Sequence, residues 1–272
     1  MNISTPAWAL PLALILTVSL ACQTNSSQEE KQENSTDSTT QVEPPPPPPP
    51  TVPLHYIMGK FEPSKDSNFV KIAPAYTTKS NIYLHKEAYK AFLKMHAAAK
   101  EDGITLRILS ATRNFNSQKG IWESKWNGSR KLSDGTNAAE IADTNARALR
   151  ILEYSSMPGT SRHHWGTDID LNNLNNPYFE KEPGIKVYQW LTANAARFGY
   201  CQTYTPKGPN RQDGYNEEKW HWSYLPVAKE YAASARQLLK DEDIQGFAGA
   251  GVAPNLKIVK KYVFGVNPEC LD

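Results

Sequence analysis

Several features that would fix the class of this chain at a glance are missing from it. After residue 22 no apolar run approaches the roughly 18 residues of a membrane-spanning helix, which argues against an integral membrane protein. Cysteine is scarce, with only Cys22, Cys201 and Cys270, too few for a small disulfide-built scaffold. Neither Cys201 nor Cys270 has a Cys or His at metal-ligand spacing, so neither reads as a zinc ligand. No internal repeat is visible. A block of basic charge is also lacking, and the formal net charge of the 272 residues is only +2. A spread of that kind is a weak basis for nucleic-acid binding, and none is expected.

The near-neutral total hides an uneven distribution. Residues 1–22 carry no charged side chain. Residues 23–53 carry one base, Lys31, against Glu29, Glu30, Glu33, Asp37 and Glu43. Subtracting these from the totals of 30 bases and 28 acids leaves 29 and 23 after residue 53, a net of +6. That surplus suits an anionic wall or membrane surface. Residues 7–21 form an apolar stretch ending Leu-Ala before Cys22, the pattern of a secretory signal core. The expected layout is a signal peptide over 1–21, a linker over 22–53 and one domain over 54–272, long enough to bury a sizeable core. The stretch at 23–43 is too poor in apolar residues to offset its ordering entropy and is expected to be disordered. Pro44 to Pro50 is an unbroken proline run that should form a stiff spacer of about 22 Å at about 3.1 Å per residue. In an exported protein with Cys22 used as an anchor, Cys201 and Cys270 are an even pair available for a disulfide.

Within 54–272, apolar periodicity predicts a helix over 85–102, with Ala88, Phe92, Met95 and Ala99 on one face and Gly103 as its stop. Alternation predicts strands over 104–110, 167–171 and 219–224. Further helices are expected over 115–127, 138–154, 186–198 and 226–240. Strands and helices mix without a regular βαβ rhythm, which favours an α+β fold.

Six histidines are present: His55, His85, His96, His163, His164 and His221. Three fall in two unusual segments, Ser161-Arg162-His163-His164-Trp165-Gly166-Thr167-Asp168-Ile169-Asp170 and Glu217-Glu218-Lys219-Trp220-His221-Trp222. A catalytic zinc takes three nitrogen or oxygen ligands, keeps a fourth position open for water, and works with a carboxylate base beside that water. His163 and Asp170, either side of the turn that Gly166 permits, offer one imidazole and one carboxylate, and His221 offers the second imidazole. Glu218 can act as the base only if the chain bends on entering its strand, since a regular strand would place it opposite His221. His164 should point away from the site. Trp122, Trp126, Trp165, Trp220 and Trp222 are candidates to line a sugar groove, with the core as the favoured reading. Arg162 and Arg211 are candidates to grip a substrate carboxylate, and solvated surface charge is an equal reading.

Ser-x-His-x-x-Gly-x-x-x-Asp followed by Glu-x-Trp-His resembles the zinc D,D-carboxypeptidases and D-Ala-D-Ala dipeptidases of the VanY-like family. The resemblance covers about 104–226. It implies one zinc ion held by His163, Asp170 and His221, with Glu218 as general base. The family's upstream Arg matches Arg113, within Ser110-Ala111-Thr112-Arg113-Asn114-Phe115-Asn116-Ser117-Gln118, as an oxyanion or substrate donor. By the same resemblance Gln118 and Ser161 would contact substrate. One departure stands out: Asp168 occupies a position that is usually small, which makes it a partner of a ligand histidine, or a rival ligand to Asp170. An antiparallel sheet flanked by helices is the implied fold. The implied activity is hydrolysis of peptidoglycan stem peptides at a C-terminal D-amino acid. A D-Ala-D-Ala dipeptidase, an L,D-type wall endopeptidase and a non-catalytic wall-binding lipoprotein with structural zinc are the alternatives. Cys22, in a lipobox-like context, would be lipidated and would hold the domain in the cell envelope, facing periplasm or wall.

Overall fold

Helix formation is most transparent between residues 86 and 101, where every fourth or third residue is apolar. In the computed structural model, which describes residues 48–271, this helix buries Ala88, Phe92, Met95 and Ala99 completely. His85 caps it, its Nδ1 accepting from the Glu87 N–H, and Gly103 follows with φ +74°. In chain order the helices are α1 (Leu54–Ile57), α2 (Lys86–Glu101), α3 (Phe115–Trp126), α4 (Thr144–Ile151), α5 (Gly184–Asn194), α6 (Leu225–Leu238) and α7 (Ala253–Leu256). The strands are β1 (Phe69–Lys71), β2 (Tyr83–His85), β3 (Ile108–Ser110), β4 (Asp168–Leu171), β5 (Tyr200–Gln202) and β6 (His221–Tyr224). β1 and β2 form a small antiparallel pair, and the main sheet is antiparallel in the order β3-β4-β6-β5. The fold is α+β, as expected.

The sheet has two unlike faces. Ile169 and Trp222 pair across β4 and β6 and point into a core shared with α2, α5, Leu171 and Tyr200. Asp168 and Asp170 alternate to the opposite face, where Asp168 is opposite Ser223 and Asp170 is opposite His221. A second core joins Trp122 of α3 and Ala148 and Ile151 of α4 to Ile244, Val252, Ile258 and Val266 of the C-terminal segment. A third packs α1 against α6 with Trp165 and Val263. The chain that enters α1 already belongs to this body. Val52 is buried, and the Ser234 hydroxyl accepts from the N–H groups of Thr51 and Val52.

Two expected elements are shorter than their patterns. Residues 104–107 alternate like a strand, yet only Ile108–Ser110 joins the sheet. The Asn172 side chain takes their place in the ladder, accepting from Arg107 N–H and donating to the Thr105 carbonyl. The helix expected over 138–154 is split into a single 3-10 turn at Ala138–Glu140 and α4. Asp143 starts α4 afresh by accepting from the Ala146 N–H at 2.7 Å.

The C-terminal segment returns to the sheet at its far edge. Asn267 donates its N–H to the Thr203 carbonyl just after β5, and its side-chain amide donates to the Gln202 carbonyl. Cys270 is disulfide-bonded to Cys201 of β5. At the other edge, Thr77 bridges to Ile108 of β3.

Candidate metal centre

The polar face of β4 and β6 gathers the residues singled out in the sequence. Gly166, with φ +70°, ends a 3-10 turn at Arg162–Trp165 and lets the chain reverse into β4. A Cβ there would come within 2.2 Å of the Phe69 ring, so only glycine fits. The turn is laced to the segment after β3. His163 donates from Nδ1 to the Ala111 carbonyl at 2.9 Å, and the Arg113 N–H donates to the His163 carbonyl at 3.1 Å. His164 faces away from the cluster, donating from Nδ1 to the Arg113 carbonyl at 2.7 Å and accepting from the Gly159 N–H at Nε2. Its burial pushes the imidazole pKa down to about 3, so the ring is neutral.

With Nδ1 committed to a carbonyl, which can only accept, His163 presents the lone pair of Nε2, 3.4 Å from Asp170 Oδ1. His221 is oriented in the reverse sense. Its Nε2 donates to Asp168 Oδ2 at 2.7 Å, which leaves Nδ1 facing Asp170 Oδ1 at 3.2 Å. The ligand atoms of His163, Asp170 and His221 lie within 4.8 Å of one another, and all three residues are buried. Asp170 Oδ1 has no hydrogen-bond donor. A buried carboxylate oxygen facing two imidazole nitrogens is an arrangement that a cation completes, and two nitrogens with one carboxylate oxygen suit a single zinc ion.

The turn before β6 supplies the required bend. The His221 N–H donates back to the Glu218 carbonyl at 3.3 Å, which swings the Glu218 side chain onto the face of the ligands. Glu218 Oε2 lies 3.2 Å from His221 Nδ1. Burial raises the Glu218 carboxyl above its ordinary range, against the lowering effect of His221. Burial alone would lower the His221 imidazole, but the hydrogen bond to Asp168 and the Asp170 and Glu218 carboxylates facing Nδ1 raise it well above its ordinary value, so that Nδ1 carries a proton that a bound cation would displace.

Asp168 is buried beneath this cluster and serves four donors. Besides His221, it accepts from Thr167 Oγ1 and Ser223 Oγ at Oδ1 and from Arg162 Nε at Oδ2. Arg162 is itself buried, stacked 4.4 Å from the Trp165 ring and bonded to Ser223 Oγ. It is thus the counter-charge of Asp168 and not an exposed cation. Arg211 is also internal, its guanidinium donating to the carbonyls of Thr205, Asp213 and Tyr215. Neither arginine borders the cavity over the centre.

That cavity has a volume of about 1250 Å³ and is bordered by His163, Asp170, Glu218 and His221. Arg113 reaches into it, bonded to Ser110 Oγ and 3.9 Å from Asp170 Oδ2, with Nε unpartnered. Gln118 also borders it, fixed by donation to the Ser156 carbonyl while its Oε1 is buried without a donor. The Ser161 hydroxyl is buried and unpartnered but lies outside the residues that border the cavity. Trp122, Trp165, Trp220 and Trp222 are all buried, and of these Trp220 also borders the cavity. Sequence reasoning missed Tyr204, whose ring lies 4.8 Å from that of His221, and Tyr215 beside it. Both sit in or at the start of the turn-rich stretch between β5 and β6, where no periodicity announces them. Cys22 and the rest of the expected leader and linker up to residue 47 lie outside the described residues.

Comparison with known proteins bears on the same segment. The family model VanY, D-alanyl-D-alanine carboxypeptidase, matches residues 81–227. The chain is 26% identical over 164 residues to the putative carboxypeptidase YodJ of Bacillus subtilis (strain 168), covering 60% of this chain and 51% of that protein. It is 28% identical over 130 residues to a D-alanyl-D-alanine carboxypeptidase of Enterococcus faecalis (strain ATCC 700802 / V583), covering 48% and 44% respectively. The chain therefore spans about half the length of these curated relatives. Among solved structures, VanYB in complex with D-alanine-D-alanine is similar with a TM-score of 0.46 and 22% identity, over 64% of this chain and 85% of that one. The family match runs from just before β2 into the first turn of α6 and so takes in every side chain of the buried cluster; the chain belongs to the VanY family of D-alanyl-D-alanine carboxypeptidases.

Proposed function

We propose that this protein is a zinc-dependent peptidase of the cell envelope that hydrolyses peptidoglycan stem peptides, releasing a C-terminal D-amino acid as a D-alanyl-D-alanine carboxypeptidase does. The observation that carries the reading is the buried His163–Asp170–His221 cluster with the Glu218 carboxylate beside it, open to a peptide-sized cavity. A purely structural metal site has no use for that carboxylate.

His163 through Nε2, His221 through Nδ1 and Asp170 through Oδ1 would hold the ion. When bound, zinc supplies Lewis acidity, polarising a carbonyl and making water a stronger acid. Glu218 accepts a proton from the attacking water and delivers it to the leaving amine. Its burial, which favours the protonated form, brings its affinity for that proton closer to what a base working near neutrality needs. Arg113, aimed into the cavity with a free Nε–H, donates to the oxygen on which negative charge develops. Gln118 Oε1 accepts from a substrate N–H. Asp168 holds His221 in the tautomer that leaves Nδ1 free. Cys22, lipidated once the charge-free leader is removed, would tether the domain to the membrane. The membrane contact is through the lipidated terminus.

Mass spectrometry of purified muropeptides, incubated with the protein with and without a chelator, tests this reading. The expected product is a stem peptide shorter by one D-alanine, formed only without chelator. Loss of two residues, or cleavage inside the stem, would instead assign a dipeptidase or endopeptidase. Chelator-insensitive cleavage would remove the metal from the mechanism.

A further inference from the structure

One charged side chain in the cavity wall has no part in the chemistry above. Gln118, Ile121 and Lys125 follow one another at three- and four-residue spacing along α3, so they share a face, and all three border the cavity. The side chain next to Ile121, Trp122, turns the other way into the second core. Lys125 is half-buried, and its ammonium donates to Ser155 Oγ at 2.5 Å. Ser155 follows α4, beside the Ser156 carbonyl that fixes Gln118.

Among the described residues no carboxylate forms an ion pair with Lys125. The nearby acids of the wall are engaged elsewhere. Asp134 and Glu153 both pair with Arg150, and Glu218 faces His221. Burial and the Arg130 guanidinium push the lysine down to about 8, with Glu218 opposing the shift. At neutral pH most of it is still charged. Removal of a cation from water carries a cost that a hydroxyl partner only partly offsets. Arg130 and Lys131 continue the positive wall on the loop after α3.

We propose that Lys125, steadied by Ser155, forms a carboxylate-binding subsite that holds the peptide substrate along α3 and selects for an acidic group on it. The inference rests on the peptidase reading. The carboxylate can belong to the interior of the peptide or be its C-terminus, and the two sources give different results in one experiment.

The test uses the full, zinc-loaded protein and two peptides ending in D-Ala-D-Ala, identical except that the interior carboxylates are free in one and amidated in the other. Lys125→Met keeps the aliphatic stem and removes the charge, and Lys125→Arg keeps the charge. For an interior carboxylate, the wild type should prefer the free acid, and Lys125→Met should raise its KM by about tenfold with kcat little changed, while Lys125→Arg retains most of the preference. For the C-terminal carboxylate, Lys125→Met should raise KM equally for both peptides, which supports the subsite and reassigns its ligand. An unchanged KM for both in a folded Lys125→Met protein overturns the proposal. If the wild type cleaves neither peptide, the peptidase reading fails, and calorimetric binding of the free-acid peptide decides on the subsite alone. Weaker binding to Lys125→Met then supports it; equal binding, or none to the wild type, overturns it.

Discussion

His163 and His221 each divide their two ring nitrogens between a fixed partner and a task. His163 spends Nδ1 on the Ala111 carbonyl, and His221 spends Nε2 on Asp168. The nitrogen left over in each case faces Asp170, so the ring orientation is set before any ion arrives. Asp168 is the residue on which this most depends. Asp168→Asn removes the charge that anchors His221 and leaves the Arg162 guanidinium buried without a counter-charge. The expected result is metal affinity weaker by about 10–100-fold, measured by competition with a chromogenic chelator. A loss of about 3–5 kcal/mol in denaturant stability should accompany it, as for other broken buried ion pairs. Wild-type affinity in this variant would reduce Asp168 to a packing role. Glu218→Gln makes the opposite prediction for the metal. Zinc content by elemental analysis should be unchanged, while turnover should fall by about 10²–10⁴-fold for the loss of a general base. Undiminished hydrolysis would move the base elsewhere. The departure at Asp168 was visible in the sequence, but its partner was not. Arg162 is within two residues of a ligand and looks like a surface cation in one dimension. Only the fold brings Ser223 and Asp168 beneath its side chain.

Among the elements, α3 combines the most roles. One face presents Gln118 and Lys125 to the cavity, and the other carries Trp122, whose Nε1–H donates to the Ala248 carbonyl of the C-terminal segment. Trp122→Ala should cost about 3–5 kcal/mol, read by chemical denaturation, because the residue is fully buried between two segments. It should also raise KM more than it lowers kcat, since α3 loses its backing while the Arg162–Trp165 turn and the β4–β6 pair keep His163, Asp170 and His221 in place. A fall in kcat alone would contradict this division. Elements whose signal is periodic were legible from the sequence: α2, α3, α6, β4 and β6 fall within a few residues of their patterns. What escaped was decided by single side chains acting on distant backbone. Asn172 occupies the ladder positions that the alternation at 104–107 claims, and Asp143 restarts a helix inside an apparently continuous one. The bend at Glu218 was required by chemistry rather than indicated by periodicity. Tyr204 and Tyr215 carry no pattern, and their place by His221 follows from the path of the β5–β6 connection.

Over the whole molecule, the centre depends on segments far apart in the chain, and the C-terminal segment, which extends beyond the family match, draws them together. It backs α3 at Ala248 and reaches β5 through the Cys201–Cys270 disulfide, across a sequence separation of 69. Closing a loop of that length should contribute about 4 kcal/mol in the chain-entropy model. Thermal unfolding with and without reductant should therefore show a lower midpoint in the reduced protein. Thiol titration of the denatured, unreduced protein should find neither of these two cysteines free. The same closure has a consequence for neighbouring copies of the protein. β5 is the last strand of the sheet, and a bare last strand exposes unpaired N–H and C=O groups onto which another chain can add. Asn267 and Cys270 lie along that border, as Thr77 lies along the border of β3. At high concentration, many copies would meet with both margins of the sheet already occupied, and cutting the disulfide would uncover the one nearer the C-terminus as a seed for aggregation.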